Sequence, residues 1–348
     1  MKAVVFDAFR GPLRLCDVAD PAPPRHGVVV QVVRTGVCRS DWHAWQGHDP
    51  DVRLPHVPGH ELAGEVVALG ADIRSLKRGD RVTVPFVSGC GGCAPCHRGD
   101  PQVCDAQFQP GFTHWGSFAE YVALHYADDN VVRLPDAIGF DVAASLGCRF
   151  TTAYRAVLQL GVIRAGESLA IFGCGGVGLS ALLIAHAVGA RVLVVDVDPE
   201  KLALARRLGA EWTLNPAESE AVAESVVELT AGGADVAIDC LGSEETMRAS
   251  ICSLRKRGRH VQVGLLIGEG GEPRVPMARV VAHELVLYGS HGIAAASYPD
   301  VFNLIQSRGL EIESILGETV PLGGVGTQLE RMTRFAGTGM VLVDPTLG

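Results

Sequence analysis

The stretch Ser168-Leu-Ala-Ile-Phe-Gly173-Cys-Gly175-Gly176-Val177-Gly178 (SLAIFGCGGVG) runs an apolar β-rich segment into a glycine-dense turn, and LSALLIAHAVGA follows it. Read outward, this is a strand, a tight turn and a buried helix. The next segment, ARVLVVDVD, is a second apolar strand that ends on an acid, Asp196. A glycine pattern alone is weak evidence, but strand, turn, helix, strand and acid in series mark a dinucleotide-binding unit. Gly173 makes the turn, Gly175 lets the backbone approach a pyrophosphate, and Gly178 lets helix and strand pack closely. Gly176 and Val177 open the helix, whose N–H groups and positive end face the phosphates. Asp196 would hydrogen-bond the adenosine ribose and repel a 2′-phosphate, so NAD is expected over NADP.

Residues 169–190 are nearly free of polar groups and about long enough to span a bilayer. Their glycines, and the charged RVLVVDVDPEKL that follows directly, favour the strand–turn–helix reading instead. Asp198-Pro199 starts a further helix, PEKLALARRLG, which Gly209 stops. DVAIDCLG and GRHVQVGL continue the series of strands. Residues 151–290 are therefore expected to form a doubly wound parallel sheet, an α/β Rossmann domain. Residues 1–150 instead alternate short β-rich runs with turns, as in VVVQVVRTG, ELAGEVVALG, DRVTVPF and FAEYVAL. They read as a compact, largely antiparallel β domain that residues 291–348 complete. Two domains suit a chain of 348 residues.

Thirty basic against 39 acidic residues give a net charge of -9, and no basic block is present. The electrostatic footprint of a nucleic-acid binder is thus missing. The opening MKAVVFDAFRG reaches charged and turn residues too soon for a secretory leader, which leads to the expectation of a cytoplasmic protein. In that compartment the ten cysteines point to metal binding rather than to disulfides. Cys90, Cys93, Cys96 and Cys104 give C-x2-C-x2-C-x7-C. Four thiolates in one loop can close a tetrahedron around a structural zinc. Bacterial iron–sulfur runs begin alike but close after three residues with a proline, whereas here the gap is seven and Asp105 follows.

TGVCRSDWH (residues 35–43) crowds chemistry around Cys38, and VPGHELAG offers His60 beside Glu61. Cys148 lies in SLGCRFTTAY. One His and two Cys would make a three-ligand set with a fourth position for water or substrate. Spacing alone does not choose among His48, His56 and His60, and a lone cysteine is usually a buried hydrophobe.

GVCRSDWH, PGHELAGEVVALG, GDRV, the four-cysteine lobe, GSFAEYV, GCRFTTAY, FGCGGVG and VVDVD occur in an order that resembles the zinc-dependent alcohol dehydrogenases of the medium-chain dehydrogenase/reductase family. The likeness runs over essentially the whole chain. It implies a GroES-like catalytic domain beside the Rossmann domain and two zinc ions, one catalytic and one structural. It further implies reversible oxidation of primary or secondary alcohols to aldehydes or ketones, by zinc-alkoxide formation and hydride transfer to NAD. Polyol, amino-acid and aldehyde dehydrogenases of the same family are the alternative, and a non-catalytic zinc and nucleotide binder is the reading from another class. By the resemblance, Cys38, His60 and Cys148 hold the catalytic zinc, with Glu61 an occasional ligand and Asp41 orienting His60. Ser40 would bond the substrate oxygen, and His43 would be the outer base, linked to it through the nicotinamide ribose. Arg39, Thr152, Lys201 and the backbone at Val263 and Leu265 would join the glycine turn in holding the cofactor. Phe86 and Trp115, with Trp45 or Phe150 as further choices, would wall the substrate pocket. Relatives of this length are commonly dimers or tetramers, and the β-rich LVLYGS run is a candidate edge strand for pairing. One departure stands out: Met340 occupies the place of an arginine that touches the pyrophosphate in many members, which predicts weaker NAD binding here.

Overall fold

The structure is a computed structural model that describes residues 1–219, 221–266, 272–334 and 337–347. Internal contacts divide the chain into two units. One comprises Met1–Thr151, Gly292–Leu304 and Glu313–Gly348; the other comprises Thr152–His291 and Ile305–Ile312. His291 and residues 305–312 thus fall in the second unit and Thr151 in the first, where the sequence assigned 291–348 to the first and 151–290 to the second.

The second unit is built on six parallel strands. Their spatial order is Trp212–Leu214, Arg191–Val195, Ser168–Phe172, Ala234–Asp239, Leu254–Gln262 and Val286–Gly289. The first strand in sequence is therefore central, and the order reverses beside it, which is where doubly wound folds bind ligands. All five residues of Ser168–Phe172 are buried. Phe172 pairs with Val195, so the glycine turn and Asp196 leave the sheet side by side. Helix Gly176–Ala187 is buried from Gly178 to Ala185, and so the apolar run of residues 169–190 resolves into strand, turn and helix. No described helix is long and apolar enough to cross a membrane. Asp198 caps helix Pro199–Arg207 by accepting from Glu200 N–H at 2.9 Å, and Gly209 follows the helix with a left-handed φ of 102°.

The first unit carries a sheet of seven strands, antiparallel except where Leu316–Pro321 runs beside Met340–Asp344. Its centre is the pair Val28–Gly36 and Glu61–Leu69. Val30, Val32, Leu62, Val66, Val82 and Val122 form the core on that pair. The register sets Gly36 opposite Glu61. The residues that continue from those ends, Val37-Cys38 on one side and His60 on the other, are thereby brought together although 22 positions separate them.

Candidate metal centres and nucleotide site

Helix Arg39–Gln46 begins at Cys38, and Asp41 turns back to cap it. The Asp41 carboxylate is fully buried and accepts three bonds. They come from Cys38 N–H at 2.9 Å, Gly59 N–H at 3.1 Å and His60 Nδ1 at 2.8 Å. One carboxylate thus fixes both loops and the tautomer of His60, leaving Nε2 as the free nitrogen. That Nε2 is buried and makes no hydrogen bond, a costly state unless something else binds it. Cys148 arrives from the other side on the π-helical turn Leu146–Phe150, a distortion that commonly marks functional positions.

The ligating atoms of Cys38, His60, Glu61 and Cys148 all lie within 4.8 Å of one another, and all four residues are buried. A hydrogen bond from Cys148 brings the Cys38 thiol well below its ordinary range against the opposing effect of burial, and His60 and Arg149 add to the lowering. The same bond, with burial, pushes Cys148 up. Burial opposes charge on His60, but Asp41 outweighs it and holds the imidazole above its usual range. Two sulfurs and an orphaned imidazole nitrogen in a dry place form a donor set that fits zinc. Glu61 differs from the other three. Burial raises its carboxyl, yet Arg149 binds both oxygens, Nε to Oε1 at 2.9 Å and Nη2 to Oε2, while the Arg149 N–H adds a bond of 3.0 Å to Oε1. The sequence put Glu61 among the ligands and missed Arg149, whose one signal was a charge beside Cys148 in an apolar helical run.

The four-cysteine lobe folds around the short helix Ala94–His97. Its sulfurs also lie within 4.8 Å of one another, with Cys93 Sγ 3.4 Å from Cys96 Sγ and 3.5 Å from Cys104 Sγ. Zinc–sulfur bonds of ~2.3 Å put tetrahedral sulfurs ~3.8 Å apart, so the lobe fits the ion closely. Backbone N–H groups of Cys90 and Ala106 each point at Cys104 Sγ from 3.3 Å and would stabilise thiolate charge. All ten cysteines are free of disulfides.

Ser40 lies beside the cluster of Cys38, His60 and Cys148, its Oγ 3.9 Å from Cys38 Sγ. One turn further, His43 meets His48, Nδ1 to Nδ1 at 3.0 Å. Arg39 stacks on Trp42 at 4.0 Å and donates to the Met332 carbonyl. Phe86 meets the His60 ring edge-on at 6.1 Å. Trp115 does not join it: the indole donates to the Pro55 carbonyl, and the ring lines a cavity with Met1, Pro21, Tyr121 and His125 whose wall holds none of the cluster's residues. Phe112, itself in the buried core, lies 5.0 Å from the His60 ring. Trp45 and Phe150 are buried core. Met340 is fully buried as well, at the start of its strand, so an arginine there would have to displace the core.

In the second unit, Gly173 has φ 96°. A Cβ on Gly178 would run into the Gly173 carbonyl, whereas one on Gly175 would meet nothing within 4 Å. The open cradle over Gly175 is what close approach of a phosphate requires. Asp196 accepts from Cys174 N–H at 2.7 Å and from Asp198 N–H at 2.9 Å, and so holds the turn it follows. Lys201 Nζ is 3.7 Å from Asp198, and Val197 and Leu265 expose apolar surface. The Thr152 hydroxyl is buried without a hydrogen-bond partner. The Val263 N–H, part of the backbone that the resemblance offered to the cofactor, donates to the Asp239 carbonyl at 3.0 Å.

Residues 24–136 match the alcohol dehydrogenase GroES-like domain, and residues 176–307 match the zinc-binding dehydrogenase family. An alcohol dehydrogenase of Geobacillus stearothermophilus is 33% identical over 345 residues, 99% of each chain. An L-threonine 3-dehydrogenase of Streptomyces coelicolor is 35% identical over 321 residues, 91% of each. The solved alcohol dehydrogenase from Thermus sp. ATN1 superposes with a TM-score of 0.89 at 30% identity, covering 99% of both chains. With two sets of zinc-type donors gathered in a GroES-like unit and a parallel sheet carrying the glycine turn, the chain belongs to the zinc-type alcohol dehydrogenases of the medium-chain dehydrogenase/reductase family.

Proposed function

We propose that this oxidoreductase is an NAD-dependent alcohol dehydrogenase that interconverts primary or secondary alcohols with aldehydes or ketones. The observation that carries this reading is the burial of Cys38, His60 and Cys148 around one point while Arg149 occupies the fourth candidate, Glu61. Three protein donors rather than four are the mark of a catalytic zinc. When bound, zinc acidifies a coordinated hydroxyl and NAD accepts a hydride. The chain's own residues do the rest. Asp41 keeps the His60 ring fixed, Ser40 receives the substrate's hydroxyl proton, and His43 carries it outward. Phe86 and Phe112, whose rings lie 6.1 Å and 5.0 Å from that of His60, make the surroundings of the reacting end apolar in this reading, which favours apolar alcohols over polyols. Asp196 supports NAD, since a 2′-phosphate would meet its carboxylate.

In this reading the second zinc is held by Cys90, Cys93, Cys96 and Cys104 and is structural. The strand Val286–Gly289 lies at the sheet edge with Val286 and Tyr288 exposed, which suits a homo-oligomer, and free thiols throughout suit the cytoplasm. The L-threonine-oxidising relative supports a second reading, an amino-acid dehydrogenase. A panel of alcohols, polyols and hydroxy amino acids, assayed for NADH and NADPH formation before and after chelation, decides between them. Turnover of no member would sink both readings. Equal turnover with NADP would remove the role given to Asp196.

A further inference from the structure

We propose that His48 is a second proton-carrying imidazole of this site, taking from His43 the proton that His43 receives and releasing it to water. This rests on the dehydrogenase reading and on His43 as its outer base. The pairing is built into the fold. Gly47 ends helix Arg39–Gln46 with φ 79°, and the chain reverses so that His48 N–H donates to the His43 carbonyl at 3.0 Å. The turn requires glycine, both for its φ and because a Cβ would press on the Phe9 ring at 3.0 Å. It lays the imidazoles together with Nδ1 atoms 3.0 Å apart, and Trp42 stands edge-on to both, at 4.9 Å and 5.6 Å.

Two Nδ1 atoms in contact share one proton, because two Nδ1–H groups would collide and two bare nitrogens would repel. His43 is half-buried and His48 is exposed. Burial, the Arg39 charge and His48 push His43 down to about 4, so a proton placed on it at neutral pH does not stay. With His43 Nδ1–H donating to His48, the incoming proton binds His43 Nε2. The His43 Nδ1–H bond then breaks as the His48 Nδ1–H bond forms, and His48 releases its Nε2 proton to water. One proton enters and one leaves. Exchange with water between turnovers returns each ring to its starting tautomer.

Arg39 and Cys38, at the start of its own helix, act on His43, and Asp49 and Asp51 follow His48 in the chain. Helix Val325–Thr333, which packs on the same helix, adds Glu330 and Arg331, the latter bound to Glu318 at 2.6 Å. Of all these, His48 alone touches the His43 ring through a nitrogen that can take a proton.

The test compares the zinc-loaded wild type with His48→Asn in two measurements. In the first, NMR follows the His43 imidazole resonances against pH; loss of His48 should move the His43 titration towards the ordinary histidine value. In the second, alcohol oxidation is followed against pH in dilute, non-imidazole buffer. His48→Asn should lower kcat roughly ten-fold with KM unchanged, short of the ~10²–10⁴ of a group acting directly on substrate, and added imidazole should restore it. An unchanged His43 titration, or an unchanged kcat profile in an active enzyme, overturns the role of His48 alone. A wild type that oxidises no alcohol in the panel overturns the dehydrogenase reading, and the carrier role falls with it.

Discussion

The Arg149 guanidinium forks onto both oxygens of the Glu61 carboxylate, Nε to Oε1 and Nη2 to Oε2, and Gly36 makes room for the pair. A Cβ at Gly36 would stand 2.7 Å from Arg149 Nη2 and closer still to Glu61 Oε2. Both partners are buried, and Arg149 bonds both oxygens of the carboxylate. Arg149→Met should therefore cost about 3–5 kcal/mol, because it strands a buried charge. Adding Glu61→Leu should recover much of that loss. Gly36→Ala should cost about 1–3 kcal/mol by overpacking. Denaturant unfolding of the variants stripped of metal, so that no zinc can take the place of Arg149 beside Glu61, measures all three; an Arg149→Met midpoint equal to wild type would show that the pair does not stabilise the fold.

Asp41 offers a more selective test, since it touches no candidate ligand atom of the cluster directly. Asn in its place puts an NH2 group where Cys38 N–H or His60 Nδ1–H now donates. The ring of His60 should loosen and zinc affinity at this site should fall about 10–100-fold. The four-cysteine lobe shares no bond with Asp41 and should keep its metal. Competition with a chromogenic chelator reads the two sites separately. Equal loss from both would remove the assigned role.

The parts of this arrangement that were legible in the sequence are those in which one residue type at one spacing has one physical use. The glycine turn after an apolar strand and the four cysteines in fifteen residues are of that kind. Cys38, His60 and Cys148 were not legible by spacing, because strand register brings the first two together and a π-helical turn delivers the third. Resemblance supplied them. Arg149 stayed hidden because an ion pair across 88 positions has no local pattern. Aromatic residues misled for a similar reason. Trp115 reads as a pocket wall from its place in a motif, whereas a ring that meets His60 belongs to Phe112, which no pattern singles out. Met340 reads as a missing arginine but is a core residue, so Met340→Arg would report on folding before it reported on cofactor affinity.

Two glycines of the nucleotide turn should separate folding from binding. Gly178→Ala drives a methyl into the Gly173 carbonyl and should lower the unfolding midpoint as well as NADH affinity. Gly175→Ala meets no protein atom, so its midpoint should stay within about 0.5 kcal/mol of wild type, as for an open site. Its NADH affinity should nevertheless fall about ten-fold or more, because the methyl fills the phosphate cradle. Fluorescence titration with NADH beside thermal unfolding checks both. A Gly175→Ala protein that binds NADH normally would place the pyrophosphate elsewhere.

Ser40 and His43 should differ in weight. Ser40→Ala removes the hydroxyl beside Cys38 that the proposed reaction gives to the substrate oxygen, and should cost ~10²–10⁴ in kcat for alcohol oxidation. His43→Ala leaves a gap that water can enter, so its loss should be smaller by at least about ten-fold and concentrated below neutral pH. Steady-state kinetics across pH 6–9 compares them. Comparable losses from the two variants would reverse the order of the proton path.

Acid should weaken the fold through buried and half-buried histidines whose surroundings favour the neutral form. Burial, with the nearby charges of His114 and His26, pushes His125 down to about 4, and its ring lies 4.7 Å from both Phe108 and His114. His43 and His260 are pushed down to about 4 as well, burial being the main cause for each. An unfolded imidazole titrates near ~6.5. Between that value and about 4, the unfolded chain carries protons that the folded chain refuses. Stability therefore rises with pH through this window and is lost as pH falls through it. His125→Phe removes one of these groups while keeping a ring against Phe108. Its stability at pH 7 should stay close to wild type, and at pH 4.5 it should gain on the order of 1 kcal/mol over wild type after allowance for solvent screening. Acid also strips metal from thiolates, but it does so in both proteins, so the difference between them isolates His125. Denaturant midpoints taken every half pH unit give the two curves. Curves that ran parallel from pH 7 to 4.5 would mean that His125 takes up its proton in the folded protein as readily as in the unfolded one.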